Sequence, residues 1–315
     1  MKNHKVVCIV GPTASGKTAL AVRLAKKYDG EIISADSRQI YEGLDIGSGK
    51  DLREYGDVKY HLIDIVDPGK EFTLFDWLDR ARKTINEIFA RGKLPIVVGG
   101  TGLYVQALVE GFAFDSSEKL KVKSEKFNSK IKKYTREELD NKSLNELQDI
   151  YEKLPATNSK LDLQNPRRVI RAIEIAQEGT IILKKKPEYQ ILQIGITLPR
   201  EILYEKIDKR VDGRFKEGML EEVDGLLKSG VSSNWLHKLG LEYRLISEFL
   251  IKNNQADINE EIFKTNNFME MAQNLKWKIH AFARRQLTWF RRFPDIKWIK
   301  EKQEADYLVD NFLKK

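Results

Sequence analysis

The sequence predicts an α/β protein: a doubly wound parallel sheet that carries a helical insertion. Three observations lead to it. Short apolar runs rich in β-branched residues (VVCIV, EIIS, LPIVV) alternate with stretches of helical periodicity. Each run ends in a loop of Gly, Asp, Ser or Thr, where the ligands of such sheets collect. From about Ala113 to Tyr189 the composition turns Lys- and Glu-rich, with helical periods and no good strand.

Val6 to Val10 reads as the first buried strand. GPTASGKT follows, from Gly11 to Thr18. Its glycines admit backbone angles that a Cβ forbids and bring amide N–H groups close to an anion. A helix begins near Lys17, with Leu20, Leu24 and Tyr28 on its buried face. Its N-terminus suits phosphate, Lys17 adds a point charge, and the Thr18 hydroxyl suits magnesium. Strand, GxxxxGKT and helix together make the core P-loop NTPase-like. The motif identifies a phosphate chain and leaves open what is attached to it.

The second strand, Glu31 to Ser34, ends at Asp36. Tyr60 to Val66 reads as a third strand, closed by the turn Asp67-Pro68-Gly69. Phe72 to Ala90 is helical, with Phe75, Leu78, Ile85 and Phe89 near one face, and Gly92 ends it. Leu94 to Val98 is the fourth strand, followed by GGTG. Within the insertion, Asn165, Pro166 and Gly179 read as N-cap, first helical residue and stop of one helix. Its Val169 and Ile173 face a core, and Arg167 and Arg171 share another side. Ile191 to Leu198 returns to the sheet, and long helices fill the rest. The domains expected are residues 1–112 with 190–315 as the core, and 113–189 as the insertion.

Bulk properties narrow the partners. No apolar run approaches the roughly 20 residues of a membrane span, and MKNHKVV lacks a signal-peptide core. The single cysteine, Cys8, lies in the first strand and excludes a disulfide framework. A cytoplasmic protein is expected. The net charge of +8 is unevenly spread. Eight Lys or Arg lie between Glu118 and Arg136, and six lie between Lys276 and Arg292 with no acid among them. The second run is interleaved with Trp277, Phe282, Trp289 and Phe290, which points to a polyanion partner.

Single residues sharpen this. Asp36 ends a strand, where a carboxylate can order water, hold magnesium, take a proton, or simply cap a helix. Thr101 in GGTGLY can bond a ligand brought close by the glycines. Arg210 and Arg214, four apart, share a helix face that can neutralise a diphosphate, although the spacing alone reads as a solvated face beside Asp212 and Glu217. In ARRQLTWFRR, Arg284 with Arg291 and Arg285 with Arg292 form a stripe suited to phosphates, while Phe282 and Trp289 form another suited to packing. The four histidines show no metal-ligand spacing.

Together GPTASGKT, SADSRQIY, DIGSGK, VGGTGLYVQAL, NPRRVIRAIE, RVDGRFKEGMLEEV, LGLEYR and RRQLTWFRR resemble the tRNA dimethylallyltransferases (tRNA isopentenyltransferases), in order along nearly the whole chain. With one cysteine, the resemblance is to the bacterial form, which lacks the C-terminal zinc finger of some members. It implies that the phosphate loop (Gly11, Pro12, Thr13, Ala14, Ser15, Gly16, Lys17, Thr18) holds dimethylallyl diphosphate with Mg2+ at Thr18. The acceptor is the exocyclic amine of the adenosine that follows the anticodon. Asp36 matches a general base, Thr101 a residue at the reacting centre, and Arg210 a diphosphate contact. Asp36, Ser37, Arg38 and Gln39 match the segment that reads the base, and Thr101 lies with them. Further tRNA contacts are implied at Lys121, Arg167, Arg168, Arg171, Lys238, Tyr243, Arg244, Arg284, Arg285, Gln286, Trp289 and Arg291. Expected partners are the tRNA anticodon stem-loop and dimethylallyl diphosphate, with no membrane and a monomeric chain. The family's usual glycine-tyrosine pair appears here as Glu242-Tyr243. The rival readings are an adenylate isopentenyltransferase, a P-loop kinase of small molecules, and an RNA-binding module without catalysis.

Overall fold

The computed structural model describes residues 4–115, 133–154, 161–178, 181–184, 189–253, 258 and 260–314. The chain divides into two compact units, residues 1–109 with 187–315 and residues 110–186. In chain order the strands are β1 (Lys5–Val10), β2 (Gly30–Ser34), β3 (Tyr60–His61), β4 (Leu94–Gly99), β5 (Phe112–Asp115), β6 (Ile181–Lys184), β7 (Gln190–Ile196) and β8 (Lys297–Ile299). The helices of the first unit's amino-terminal part are α1 (Lys17–Lys27), α2 (Leu74–Ala90) and α3 (Gly102–Val109). The second unit holds α4 (Arg136–Asp140), α5 (Leu144–Glu152) and α6 (Pro166–Glu178). The first unit resumes with α7 (Arg200–Lys216), α8 (Met219–Lys228), α9 (Ser233–Leu239), α10 (Leu241–Lys252), α11 (Asn266–Phe290) and α12 (Lys302–Lys314).

Six strands of the first unit form one parallel sheet in the order β3-β2-β4-β1-β7-β8. Val7 and Ile9 of β1 join a buried cluster with Leu20 and Leu24 of α1 and Val309 of α12. The alternate residues Val6, Cys8 and Val10 are equally buried and point to the other face. That face is covered by α2, whose Trp77, Leu78, Ala81, Ile85 and Ile88 are buried and whose Trp77 Nε1 donates to Ser34 C=O at 2.9 Å. Burial pushes the Cys8 thiol up to about 12, so it behaves as a small apolar side chain. A second core joins α7, α8, α9, α10 and α11 around Leu220, Tyr243, Ile246 and Leu275.

The sheet departs from the sequence reading at its edges. The expected third strand, Tyr60 to Val66, keeps only Tyr60–His61 in the ladder. Leu62 and Asp64 take left-handed φ of 61° and 52°, which breaks the extended run, and Val66 returns as a single bridge to Tyr41. The three-residue β8 was absent from the reading because a strand that short carries no periodicity. The second unit, read as free of strands, contains the antiparallel pair β5–β6. Its helices have their own core of Leu139, Leu147, Tyr151, Val169 and Ile173. Its α6 starts at Pro166, as the sequence indicates; Lys121 and Gly179 lie outside the described residues.

One buried carboxylate ties the sheet edge to α2. Glu31 on β2 accepts from Arg91 (3.0 and 2.7 Å), just past α2, and pairs with His61 of β3 at 2.6 Å. Although burial alone opposes ionisation, Arg91 and His61 outweigh it and take the Glu31 pKa from 4.5 down to about 2. The stability this supplies is therefore complete above pH 4.5 and fades as pH falls towards 2. Glu31→Gln is expected to lower the melting temperature at pH 7, with the gap to the parent protein narrowing below pH 4.5. An equal gap across that range in thermal melts would contradict the assignment.

Candidate active site

The carboxyl ends of β1, β2 and β4 deliver three loops to one cavity of about 240 Å³. The first is the glycine-rich loop after β1. Ala14 and Gly16 take left-handed φ of 61° and 84°, and Ser15 N–H bonds Pro12 C=O at 3.3 Å. The following α1 has no side-chain cap and no acidic residue in its first turn, which keeps the positive helix end for an anion. Lys17 lines the cavity with its Nζ 3.3 Å from Pro12 C=O. Burial pulls the Lys17 pKa from 10.5 to about 8, Arg210, Arg38 and Arg214 add to the fall, and Asp36 resists it.

From the helical part, α7 supplies Arg210 and Arg214. Arg210 Nη1 donates to Thr13 Oγ1 at 2.9 Å and its Nη2 to Asp51 at 3.3 Å. The solvated face suggested by their spacing is not what forms. Arg214 is 7% exposed, because α7 packs this face against the loop of residues 45–51. Burial and Arg210 lower the Arg214 pKa to about 10. Its Nη2 has no hydrogen-bond partner, and Asp51 is its ion partner at 3.9 Å. Ser15 Oγ is likewise buried without a partner. An unpartnered guanidinium nitrogen in the same cavity as an uncapped helix N-terminus is what a phosphate-holding site requires.

The second loop follows β2. Asp36 lines the cavity, and one carboxylate oxygen accepts from Arg38 N–H at 3.0 Å, a local Asx turn. Ser37 N–H donates to Thr101 Oγ1 at 3.0 Å, so Thr101 braces this loop from behind, while Val98 and Gly99 line the cavity. Gln39 joins Ser34 Oγ (2.8 Å) to Gly49 C=O (2.9 Å), which uses both ends of its amide. The glycines at and after the end of β4 let neighbouring protein approach closely. A Cβ on Gly99 would lie 2.1 Å from Ala35 C=O, on Gly100 2.3 Å from Gln286 Nε2, and on Gly102 2.3 Å from Trp289 Cδ1.

Several residues matched to tRNA contacts are held in the protein's own packing, Gln286 in the lining of the cavity itself. Gln286 is buried; it accepts from Thr13 N–H at 2.8 Å and donates to Gly100 C=O at 2.9 Å, clamping the phosphate loop to the end of β4. Tyr243 is wholly buried, and its hydroxyl donates to Glu222 at 3.0 Å, because the helix start that carries it belongs to the core. Trp289 packs beneath Gly102 with the Arg292 guanidinium 4.5 Å above its ring. By contrast Arg284, Arg285, Arg291 and Lys238 are exposed, while Arg244 pairs with Glu248 at 3.0 Å. In the second unit Arg167 is exposed, Arg168 pairs with Asp162 at 3.0 Å, and Arg171 with Glu174 at 3.1 Å.

A parallel sheet with a phosphate loop at its centre, facing a cluster of arginines and the carboxylate of Asp36, defines a P-loop-like enzyme of diphosphate chemistry. The chain belongs to the IPP transferase family, whose model matches residues 39–293, and the isopentenyl transferase model matches residues 4–57. A "tRNA dimethylallyltransferase 2" of Shewanella sediminis is 44% identical over 95% of this chain and 94% of its own. The structure of the full-length tRNA isopentenylpyrophosphate transferase from Bacillus halodurans superposes with a TM-score of 0.67 at 34% identity, covering 98% of this chain and 95% of that one. The tRNA delta(2)-isopentenylpyrophosphate transferase from Staphylococcus epidermidis gives 0.66 at 32% identity over 98% and 99%.

Sequence reasoning missed Glu242, Arg214 as a buried group, and the loop of residues 45–51. Glu222 holds that loop by accepting from the amides of Asp45 (2.7 Å), Ile46 (2.6 Å) and Gly47 (3.0 Å). The visible signal was DIGSGK itself: at Gly49 φ is 69°, and a Cβ there would lie 2.0 Å from Arg210 Nη2 and 1.8 Å from Arg214 Nη2. Gly49→Ala is expected to displace both guanidinium groups and weaken binding of inorganic diphosphate by about 10-fold or more. Isothermal titration checks this; unchanged affinity would show that the arginines do not hold the anion.

Proposed function

We propose that this protein transfers the dimethylallyl group of dimethylallyl diphosphate to the exocyclic amine of the adenosine 3′-adjacent to the anticodon of tRNA, releasing diphosphate. The observation that carries the reading is the pairing of an anion cradle with Asp36 in one cavity, where the carboxylates of Asp51 and Glu242 are instead engaged by arginines. The diphosphate lies on residues 13–18 and faces Arg210 and Arg214. The amine nitrogen attacks the allylic carbon, the carbon–oxygen bond to diphosphate breaks, and Asp36 takes the proton lost by the nitrogen. One Asp36 oxygen is held by Arg38 N–H, and the other carries no hydrogen bond among the described residues. Thr101 acts by fixing the loop that presents Asp36.

The site fits Mg2+. Thr18 lines the cavity, and among the described residues no cluster of three or more His, Cys, Asp or Glu is placed to hold a metal. That donor set suits an ion that takes most ligands from phosphate and water. Bound there, Mg2+ would offset charge on the leaving diphosphate. No helix among the described residues is long and apolar enough to cross a membrane, and a tRNA substrate supports a cytoplasmic setting.

Exposed Arg284, Arg285 and Arg291 on and just after α11, with Arg167 in the second unit, support the polynucleotide acceptor over free AMP. Mass spectrometry of tRNA incubated with dimethylallyl diphosphate is expected to show the gain of one prenyl group without ATP consumption. Tight ATP hydrolysis with no prenyl product would favour a kinase, and prenylation of AMP alone would favour the adenylate enzyme. Asp36→Asn keeps the acceptor for Arg38 N–H but not the base, so turnover is expected to fall about 10²-fold or more while diphosphate binding holds. Near-normal single-turnover rates in the folded variant would remove Asp36 as the base. Loss of each arginine contact to phosphate is expected to reduce the log–log salt slope of tRNA affinity by about 0.7–0.9; a slope insensitive to these substitutions would place the tRNA elsewhere.

A further inference from the structure

The residue at which the chain departs from its family's glycine-tyrosine pair points into the cavity wall. Glu242, the second residue of α10, is 4% exposed and lines the cavity. Its Oε2 meets Arg38 Nη1 at 2.5 Å, with side chains 5% and 13% exposed. The backbone N–H of that same Arg38 holds Asp36. The Arg38 guanidinium lies 5.8 Å from the centre of the Phe282 ring, and Arg38 and Phe282 both line the cavity. A continuous chain thus runs from Glu242 through Arg38 to the base.

We infer that Glu242 is a positioning residue for the acceptor: it holds Arg38 against Phe282 as a flat shelf on which a purine stacks beside Asp36. This deepens the prenyl-transfer reading and rests on it. Guanidinium planes and aromatic rings are the surfaces that take an unstacked base. The pairing also sorts the cavity's cations. Lys17, Arg210 and Arg214 lie in the same cavity as Arg38, and a diphosphate attracts all four. A short ion pair buried on both sides commits Arg38 to the acceptor side and leaves the others to the leaving group. Burial works against the charge on Arg38, yet Glu242 and then Asp36 raise its pKa, so the shelf stays cationic. Glu242 is not itself the base, because Arg38 occupies its carboxylate.

The test is single-turnover kinetics on an anticodon stem-loop RNA with dimethylallyl diphosphate, with titration of the diphosphate alone and a melting curve for each variant. Glu242→Gln is expected to slow transfer about 10-fold or more and to leave dimethylallyl diphosphate affinity equal or tighter. Glu242→Asp, which keeps the charge, recovers part of the rate. In an Arg38→Met background, Glu242→Gln adds no further loss, since it acts through Arg38. If Glu242→Gln alone fails to fold, the double variant, which removes both buried charges, carries the test: transfer slowed to the same extent with diphosphate affinity retained. A parental rate in Glu242→Gln or in the double variant overturns the inference. So does an equal loss in the Arg38→Met background, or a parallel loss of diphosphate affinity. No prenyl product from the parental protein sinks the underlying reading instead.

Discussion

Like charges held together in one cavity are the constraint on which the site depends. Lys17, Arg38, Arg210 and Arg214 line the same cavity, and burial, with the neighbouring cations adding to it, lowers the pKa values of Lys17 and Arg214. Such a cluster is stable only if the protein supplies counter-charges that do not fill the anion's place. It does so from three directions. Glu242 takes Arg38, Asp51 sits against Arg210 and Arg214, and Asp36 offsets Lys17. The Arg214 Nη2 that lacks a hydrogen bond, and the uncapped start of α1, remain for a ligand.

The scaffold around these charges is held by a few buried polar groups. Gln286 on α11 grips the phosphate loop and the end of β4 together, so the helix that carries the exposed arginines also sets the anion cradle. Glu222 does the same for the loop of residues 45–47 through three consecutive amides and is itself met by Tyr243. Such a carboxylate fills a backbone nest that would otherwise bind an anion. Lys50, 1% exposed, bonds Tyr41 C=O and Asp45 and also meets Asp64, locking the far end of that loop. The loops that line the cavity are therefore ordered by buried polar side chains from distant parts of the chain.

Much of this was legible in sequence where the physics is local. The β1–loop–α1 unit, β2 ahead of Asp36, β4 ahead of its glycines, and the start of α6 follow from apolar period, glycine and proline. What was not legible depends on partners distant in the chain. Arg210 and Arg214 read as solvated until α7 meets Gly49, some 160 residues earlier by the number of its contact, Arg210 to Asp51 at a separation of 159. The resemblance implies tRNA contacts at Gln286 and Tyr243, but the sequence does not show that both are buried, Tyr243 in the helical core and Gln286 against the phosphate loop. The glycines of GGTG signal a close approach, and Ala35, Gln286 and Trp289 make it. The short strands β3, β5, β6 and β8 carry too few residues to show a period.

The central claim is that one cavity seats the diphosphate and aims the allylic carbon at Asp36. The most direct measurement is a crystal structure with dimethylallyl S-thiolodiphosphate, a substrate analogue slow to ionise. The account places its diphosphate between residues 13–18 and the guanidinium groups of Arg210 and Arg214, with Asp51 released from them and the allylic carbon turned towards Asp36. A diphosphate bound away from Arg210 and Arg214, or an allylic chain directed away from Asp36, would contradict it.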